Sequence, residues 1–416
     1  MQKLIIKNLG PIKNCEMEVR PFTIFIGESG SGKSILLRTI SMLKWVYKQV
    51  QYKRLLEHIG EIESDEIIDI KFNRVIKNSK LDDYINDDTS IEFFMNNKLV
   101  IAIRNKQFEF EIKNNMLSSP LLLNKIVFLD ENRSILPEMY SSSRNRFIFN
   151  EIRRRNTFSY TTDMLNNFDE AFNEIGDDFP IKTTNTVLRK KNVNSFVREQ
   201  IYIVKNGHEI KFENASSGEK SSAIIELIGY YFSQEYNLSE RFNKSIYFLL
   251  SEFFLSRKKE LLKLNEYDIL QRLVKLSNSI DKEQSFTILF EEPESNLFPT
   301  NQKALTCFLS SLRKKKNNPE IIFSPHSPYI LTVVNNLLYA DELASKNSKL
   351  KEKVNDVIPE ESQLSIDDLS AYVVENGTVE SIIDTETNLI NGEYIDKVSD
   401  ELISDFDKLY EMKWNK

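Results

Sequence analysis

The sequence predicts an α/β fold, and three observations carry that expectation. Apolar runs without alternation, Phe22–Ile26, Ile126–Leu129, Phe286–Phe290 and Ile321–Phe323, read as strands buried on both faces. The stretch from Ser34 to about Leu56 places Ile35, Leu36, Ile40, Leu43 and Val46 near a period of 3.6, which predicts one long helix. The segment Ser90–Ile112 ends in alternation (Phe108, Phe110, Ile112), which predicts strands with one wet face.

Taken in order, Lys3–Ile6 reads as a strand, Gly10-Pro11 as a turn, and Ile12–Val19 as a second strand. Ile67–Ile76 reads as β-rich. Lys125–Leu129 is a strand leaving into the polar loop Asp130-Glu131-Asn132-Arg133-Ser134. Arg133 there has two readings: a contact to a ligand or partner, or a surface salt bridge. Residues 139–200 are the least regular. Tyr202–Phe212 predicts a hairpin around Asn206-Gly207, and Glu375-Asn376-Gly377 a second one. Ser221 to about Asn278 reads as helical, and an acidic helix closes the chain from about Ile395 to Met412.

Composition sets outer limits. A chain of 416 residues buries a large core and suggests two lobes. A net charge of -7 gives no bulk signal for nucleic acid. Two cysteines, Cys15 and Cys307, exclude a disulfide framework and fit a reducing compartment. No leader and no run of membrane-span length is visible, so the expectation is a cytoplasmic protein without a membrane partner.

The chemistry concentrates in four tracts. Gly27-Glu28-Ser29-Gly30-Ser31-Gly32-Lys33-Ser34 is the phosphate-binding pattern G-x-x-x-x-G-K-S, set between a strand and a helix as that pattern requires. Gly27, Gly30 and Gly32 let backbone N–H groups surround phosphate oxygens. Lys33 reaches the β- and γ-phosphates, and Ser34 ligates Mg²⁺. Ala215-Ser216-Ser217-Gly218-Glu219 is a turn opening an apolar helix, where hydroxyls and free N–H groups converge. Phe286–Phe290 runs into Glu291-Glu292-Pro293-Glu294. An apolar strand ending in paired acids is the Walker B pattern: Glu291 holds Mg²⁺ and Glu292 is the base for the attacking water. Ile321–Phe323 leads to Ser324-Pro325-His326-Ser327-Pro328, a strand ending near a histidine before a helix.

Together these tracts resemble the ABC-type ATPases of the SMC, RecF and OLD-like branch. The resemblance runs from residue 1 to about 60 and from about 200 to 335. It implies a P-loop NTPase with an ABC-type head: a mixed sheet core, an antiparallel β-subdomain and helical insertions. It implies ATP and Mg²⁺ as cofactors, and hydrolysis at a dimer interface. Ser217 and Gly218 match the serine and first glycine of the ABC signature, which binds the γ-phosphate held by the opposite subunit. Glu219 departs from the second glycine, and Glu291 stands where Asp is usual. Ser295-Asn296-Leu297 resembles the D-loop. His326 matches the H-loop histidine at the γ-phosphate. Among Gln49, Gln51 and Gln107 none sits in a Q-loop setting.

The expected organisation follows from the motifs. Residues 1–135 form the first part of the head and 136–200 a helical, arginine-rich insertion. Residues 201–335 form the second part, with a helical insertion at about 234–283, and 336–416 form a C-terminal extension. The cluster Arg144, Arg146, Arg153, Arg154 and Arg155, interleaved with Phe147, Phe149, Phe158 and Tyr160, fits single-stranded nucleic acid or a solvated helix face. The runs Arg189-Lys190-Lys191 and Arg313–Lys316 carry the same two readings. The only Asp-x-Asp after His326 is Asp405-Phe406-Asp407, in the closing helix, where no strand precedes it to hold a metal site. The expectation is therefore an ATPase without its own nuclease. It resembles the stand-alone ATPase subunits of bacterial anti-phage operons, where a separate nuclease or toxin is the effector. The alternatives are a RecF- or SMC-like ATPase that binds DNA directly, and a transporter subunit.

Overall fold

The computed structural model describes residues 2–60, 70–110, 121–141, 160–191, 200–238, 282–392 and 403–410, with Arg241 and Gln271. The arginine–aromatic cluster of residues 144–158 and most of the expected insertion at 234–283 lie outside the described residues.

A six-stranded sheet organises the rest. Its strands are β3 (Phe22–Ile26), β7 (Leu121–Leu129), β12 (Lys282–Glu291), β13 (Glu320–Ser324), β14 (Leu369–Glu375) and β15 (Thr378–Ser381). Their order is β15-β14-β3-β13-β12-β7. All neighbours pair in parallel except β14 with β15. Parallel strands need cover on both faces, and the sequence supplies it by alternation. Phe22, Ile24, Ile288, Phe290, Ile321 and Phe323 enter one apolar cluster. Phe25, Phe128, Leu289, Ile322 and Val374 enter the other.

Helix α1 (Lys33–Gly60) covers the second face. A five-stranded antiparallel sheet lies on its far side. That sheet is built from β1 (Gln2–Leu9), β2 (Ile12–Val19), β4 (Ile85–Met95), β5 (Lys98–Arg104) and β6 (Gln107–Phe110), in the order β2-β1-β4-β5-β6. Sandwiched this way, α1 buries Leu36, Leu37, Ile40, Met42, Leu43 and Val46 essentially completely. Each such side chain contributes about 1.5–3 kcal/mol of transfer free energy.

The first face is covered by α4 (Tyr160–Glu174), α5 (Ser217–Tyr230), α6 (Pro299–Leu312) and α7 (Pro328–Lys346). A four-stranded antiparallel sheet flanks α5. Its strands are β8 (Asp178–Ile181), β9 (Thr186–Lys191), β10 (Gln200–Lys205) and β11 (His208–Lys211). Short helices α2 (Phe72–Asn78), α3 (Leu136–Ser141) and α8 (Lys351–Val357) complete the described elements named here. Residues 403–410 are helical, as the closing-helix expectation had it.

Three local expectations are corrected. The stretch ending at Ile76 was expected to be β-rich, but residues 72–78 are helical. Phe72, Val75 and Ile76 stand at i, i+3 and i+4, and Val75 and Ile76 are buried on that face. The least regular stretch holds α4, β8 and β9, so the Arg189 run lies on a strand. The polar loop after β7 is a 3₁₀ turn at Glu131–Ile135, capped by Asp130, whose Oδ1 accepts from Asn132 N at 3.0 Å.

Both described basic runs are engaged within the chain. Arg189 pairs with Asp178 and Glu209 at 2.7 and 3.0 Å. Lys191 reaches Glu209, and Lys190 sits over the Phe172 ring. Arg313 pairs with Asp368, Lys315 with Glu361, and Lys314 donates to Glu360 O.

Candidate active site

Strand order brings the motifs together. β13 lies between β3 and β12, so the carboxyl ends of three adjacent parallel strands carry the glycine loop, the histidine loop and the paired acids. Such an edge is where open α/β sheets bind ligands.

After β3 the chain turns through Gly27, Gly30 and Gly32 at φ +145°, +82° and +117°. Side chains rarely tolerate these values. At Gly27 space is also closed: a Cβ would stand 2.3 Å from the Val374 carbonyl oxygen of β14. Lys33, the first residue of α1, is 5% exposed. It folds back and donates from Nζ to the carbonyls of Gly27 and Glu28, both at 2.7 Å. Burial pulls its ammonium below the usual lysine range, opposed by the carboxylates of Glu292 and Glu294. Glu292 and Glu294 therefore stand within electrostatic reach of the loop lysine. Ser34 follows, half-buried.

The acids differ in environment. Glu291 is 1% exposed. Its Oε1 lies 3.3 Å from Arg38 Nε, and its Oε2 accepts from Arg38 Nη2 at 3.5 Å. Oε1 receives no aligned hydrogen bond. Burial pushes the Glu291 carboxyl up; Arg38 opposes this, and Asp130 and Glu131 add to it. A buried carboxylate oxygen that accepts no hydrogen bond is of the hard donor type that a divalent cation takes. Ser34 and Glu291 are the residues that would hold Mg²⁺.

Glu292 adopts φ +43°, an uncommon conformation for a side-chain-bearing residue. Its N–H donates to Ser324 O at 3.2 Å, and its Oε1 meets His326 Nε2 at 3.1 Å. The parallel register makes this contact, because Glu291 is opposite Ser324 and each partner lies just beyond. Glu292 and His326 remain partly open to solvent, unlike Glu291. Glu294 closes the loop. Its Oε1 accepts from the backbone N–H groups of His326 and Ser327 at the start of α7. A carboxylate is favourable at that helix end.

The signature-like turn starts α5 with a reciprocal cap. Ser216 Oγ accepts from Glu219 N at 3.3 Å, and Glu219 Oε2 accepts from Ser216 N at 3.2 Å. Glu219, the departure from the signature pattern, thus has a structural task. Ser217 is exposed. Gly218 is buried against the Asn296 backbone, and a Cβ there would stand 2.6 Å from Asn296 O. Gly218→Ala is expected to displace the Ser295–Leu297 loop and cost about 1–3 kcal/mol, as overpacking does. A urea melt checks this; an unchanged midpoint contradicts the contact.

Of the sequence-derived candidates, Lys33, Glu291, Glu292 and His326 converge with the glycine loop. Ser217 lies on a surface, away from any hydrogen bond to them. Of two further residues at the site, one, Arg38, escaped sequence reasoning, and the other, Arg133, takes neither of the two roles read for it. Arg38 was legible as a neighbour of Ser34, four positions on along α1. Arg133 is neither a surface ion pair nor ligand-facing; it is 1% exposed and bonded to the backbone of both acids. Gln51 is buried in α1 and Gln107 is exposed on β6.

No family model and no curated protein matches the chain. Solved structures do. The SMC head domain from Thermotoga maritima is 13% identical, with 91% of this chain and 97% of that chain covered and a TM-score of 0.33. An ATP-binding cassette of an ABC transporter in its ADP conformation is 11% identical, with 96% of each chain covered and a TM-score of 0.34. The Smc head domain of Pyrococcus furiosus, with an extended coiled coil and bound to the C-terminal domain of ScpA, is 11% identical, covering 97% and 100%, at a TM-score of 0.35. Among the described residues no helix is long and apolar enough to cross a membrane.

Proposed function

We propose that this chain binds Mg·ATP and hydrolyses it to ADP and phosphate. The observation that carries the reading is the convergence of Lys33, Glu291 and the Glu292–His326 pair at neighbouring strand ends. The glycine loop and the α1 N-terminus bind the phosphates through backbone N–H groups. Lys33 exchanges its two carbonyl acceptors for phosphate oxygens. Ser34 and Glu291 would hold Mg²⁺, which would neutralise charge on the phosphates. Glu292 takes a proton from the attacking water, and His326 holds the Glu292 carboxylate in place.

The exposed Ser217 completes the reading. Its position favours a site finished by the Ser217-Gly218 turn of a second copy, in a homodimer or a higher assembly of such dimers. Titration of a fluorescent ATP analogue, with and without Mg²⁺, tests the first step. Binding that needs no Mg²⁺ and saturates no site would overturn it.

On the resemblance drawn from the motifs, we extend the proposal to a cytoplasmic regulatory subunit controlling a separate nuclease or toxin in phage defence. Nucleotide state would switch the partner by forming and removing γ-phosphate contacts, and a coupling of roughly 1–3 kcal/mol suffices. Co-expression with the neighbouring open reading frame should protect cells from phage only when Glu292 is intact. Protection by this chain alone would contradict effector control.

A further inference from the structure

Arg133 joins three segments that the proposed chemistry needs. Its Nε donates to Ser221 Oγ of α5 at 2.7 Å. Nη1 donates to Asp130 O at 3.0 Å and to Glu291 O at 2.7 Å. Nη2 donates to Glu292 O at 2.5 Å. A guanidinium offers five N–H donors in a fixed fork, so these four contacts leave little freedom. Burial pulls Arg133 down to about 10, and the carboxylates of Glu294, Asp130, Glu292 and Glu291 oppose that fall. The group therefore stays cationic at neutral pH, and its bonds to carbonyls are charge-assisted.

Two facts give this strut direction. Glu292 holds an unfavourable backbone conformation, φ +43°, which persists only where surroundings enforce it. The Arg133–Glu292 O bond and the Glu292 N–Ser324 O bond grip the residue's carbonyl and N–H. The second fact is α5. Ser221 lies four residues beyond Ser217, one turn along the same helix face. Gly218 of the same turn abuts Asn296 O. The start of α5 thus holds the acidic loop on both sides of Glu292, upstream through Arg133 and downstream through Asn296.

We propose that Arg133 is a positioning residue that couples engagement of the Ser217-Gly218 turn to the backbone pose of Glu292. A small movement of α5 on contact with nucleotide is passed through Ser221 and the guanidinium to the Glu291 and Glu292 carbonyls. Arg133 touches no reacting atom. The inference rests on the ATPase reading above, and goes beyond it by naming how the second site controls the base.

Ser221→Ala removes only the link to α5 and leaves Arg133 on its carbonyls. ATP affinity should stay within about twofold of wild type, while kcat falls about tenfold, the effect of one hydrogen bond to a charged group. Arg133→Lys should behave similarly, with kcat lowered and KM kept. Ser217→Ala and Ser221→Ala combined should be no slower than the slower single variant, because both act through one route. A merely structural role would lower the melting temperature and leave kcat per folded chain unchanged. Wild-type hydrolysis with Ser221→Ala at the wild-type rate, or effects that multiply in the double variant, overturns the coupling alone. A wild-type chain inert to ATP overturns the functional reading and the coupling with it.

Discussion

Lys33→Ala is expected to weaken ATP binding by about 30- to 150-fold, the loss of a charge-assisted phosphate contact of about 2–3 kcal/mol. The structure sharpens the expectation in one respect. Lys33 Nζ donates to the Gly27 and Glu28 carbonyls. Removing the ammonium therefore also loosens the loop that it clamps, and stability should fall along with affinity. Titration with a fluorescent analogue measures the first effect and a thermal melt the second. Unchanged affinity would remove Lys33 from the site.

Glu292→Gln is expected to bind ATP with near wild-type affinity and to lose hydrolysis by a factor of about 10²–10⁴, the usual contribution of a general base. Glutamine is nearly isosteric, so the left-handed backbone at this position and the contact to His326 need not be rebuilt. Because the nucleotide survives, the variant should accumulate as closed dimers with Mg·ATP. Size distributions with and without nucleotide check this. A variant that hydrolyses at the wild-type rate would move the base to another residue.

Much of the site was legible because its residues are near one another in sequence. The loop from Gly27 to Ser34 and the tract Glu291–Glu294 each carry their own flanks. A strand must precede and a helix follow, and both do. The pairing of Glu292 with His326 was not legible, because it depends on β12 and β13 lying side by side.

What was not legible depends on distant pairing. The C-terminal hairpin was recognisable as a hairpin, yet β14 turns out to be the neighbour of β3, with Val374 O closing the space beside Gly27. Leu369–Val374 is apolar almost throughout, and all six residues are buried. That run is the mark of a strand covered on both faces. Arg133 was misread for a related reason. A surface salt bridge and a buried strut look alike in sequence, and the acceptors here are backbone carbonyls, which carry no sequence signature. In residues 72–76, the helical spacing of Phe72, Val75 and Ile76 outweighed the β-branched composition.

The central claim is that adjacent strand ends here form an ATP-hydrolysing centre that a second copy completes. Phosphate release by the purified chain at saturating Mg·ATP, followed over a range of protein concentrations, tests it most directly. The rate of release per chain is expected to rise with concentration and then level as dimers fill, and Glu292→Gln is expected to abolish it. Release at a constant rate per chain down to the most dilute monomer, or release that survives Glu292→Gln, would contradict it.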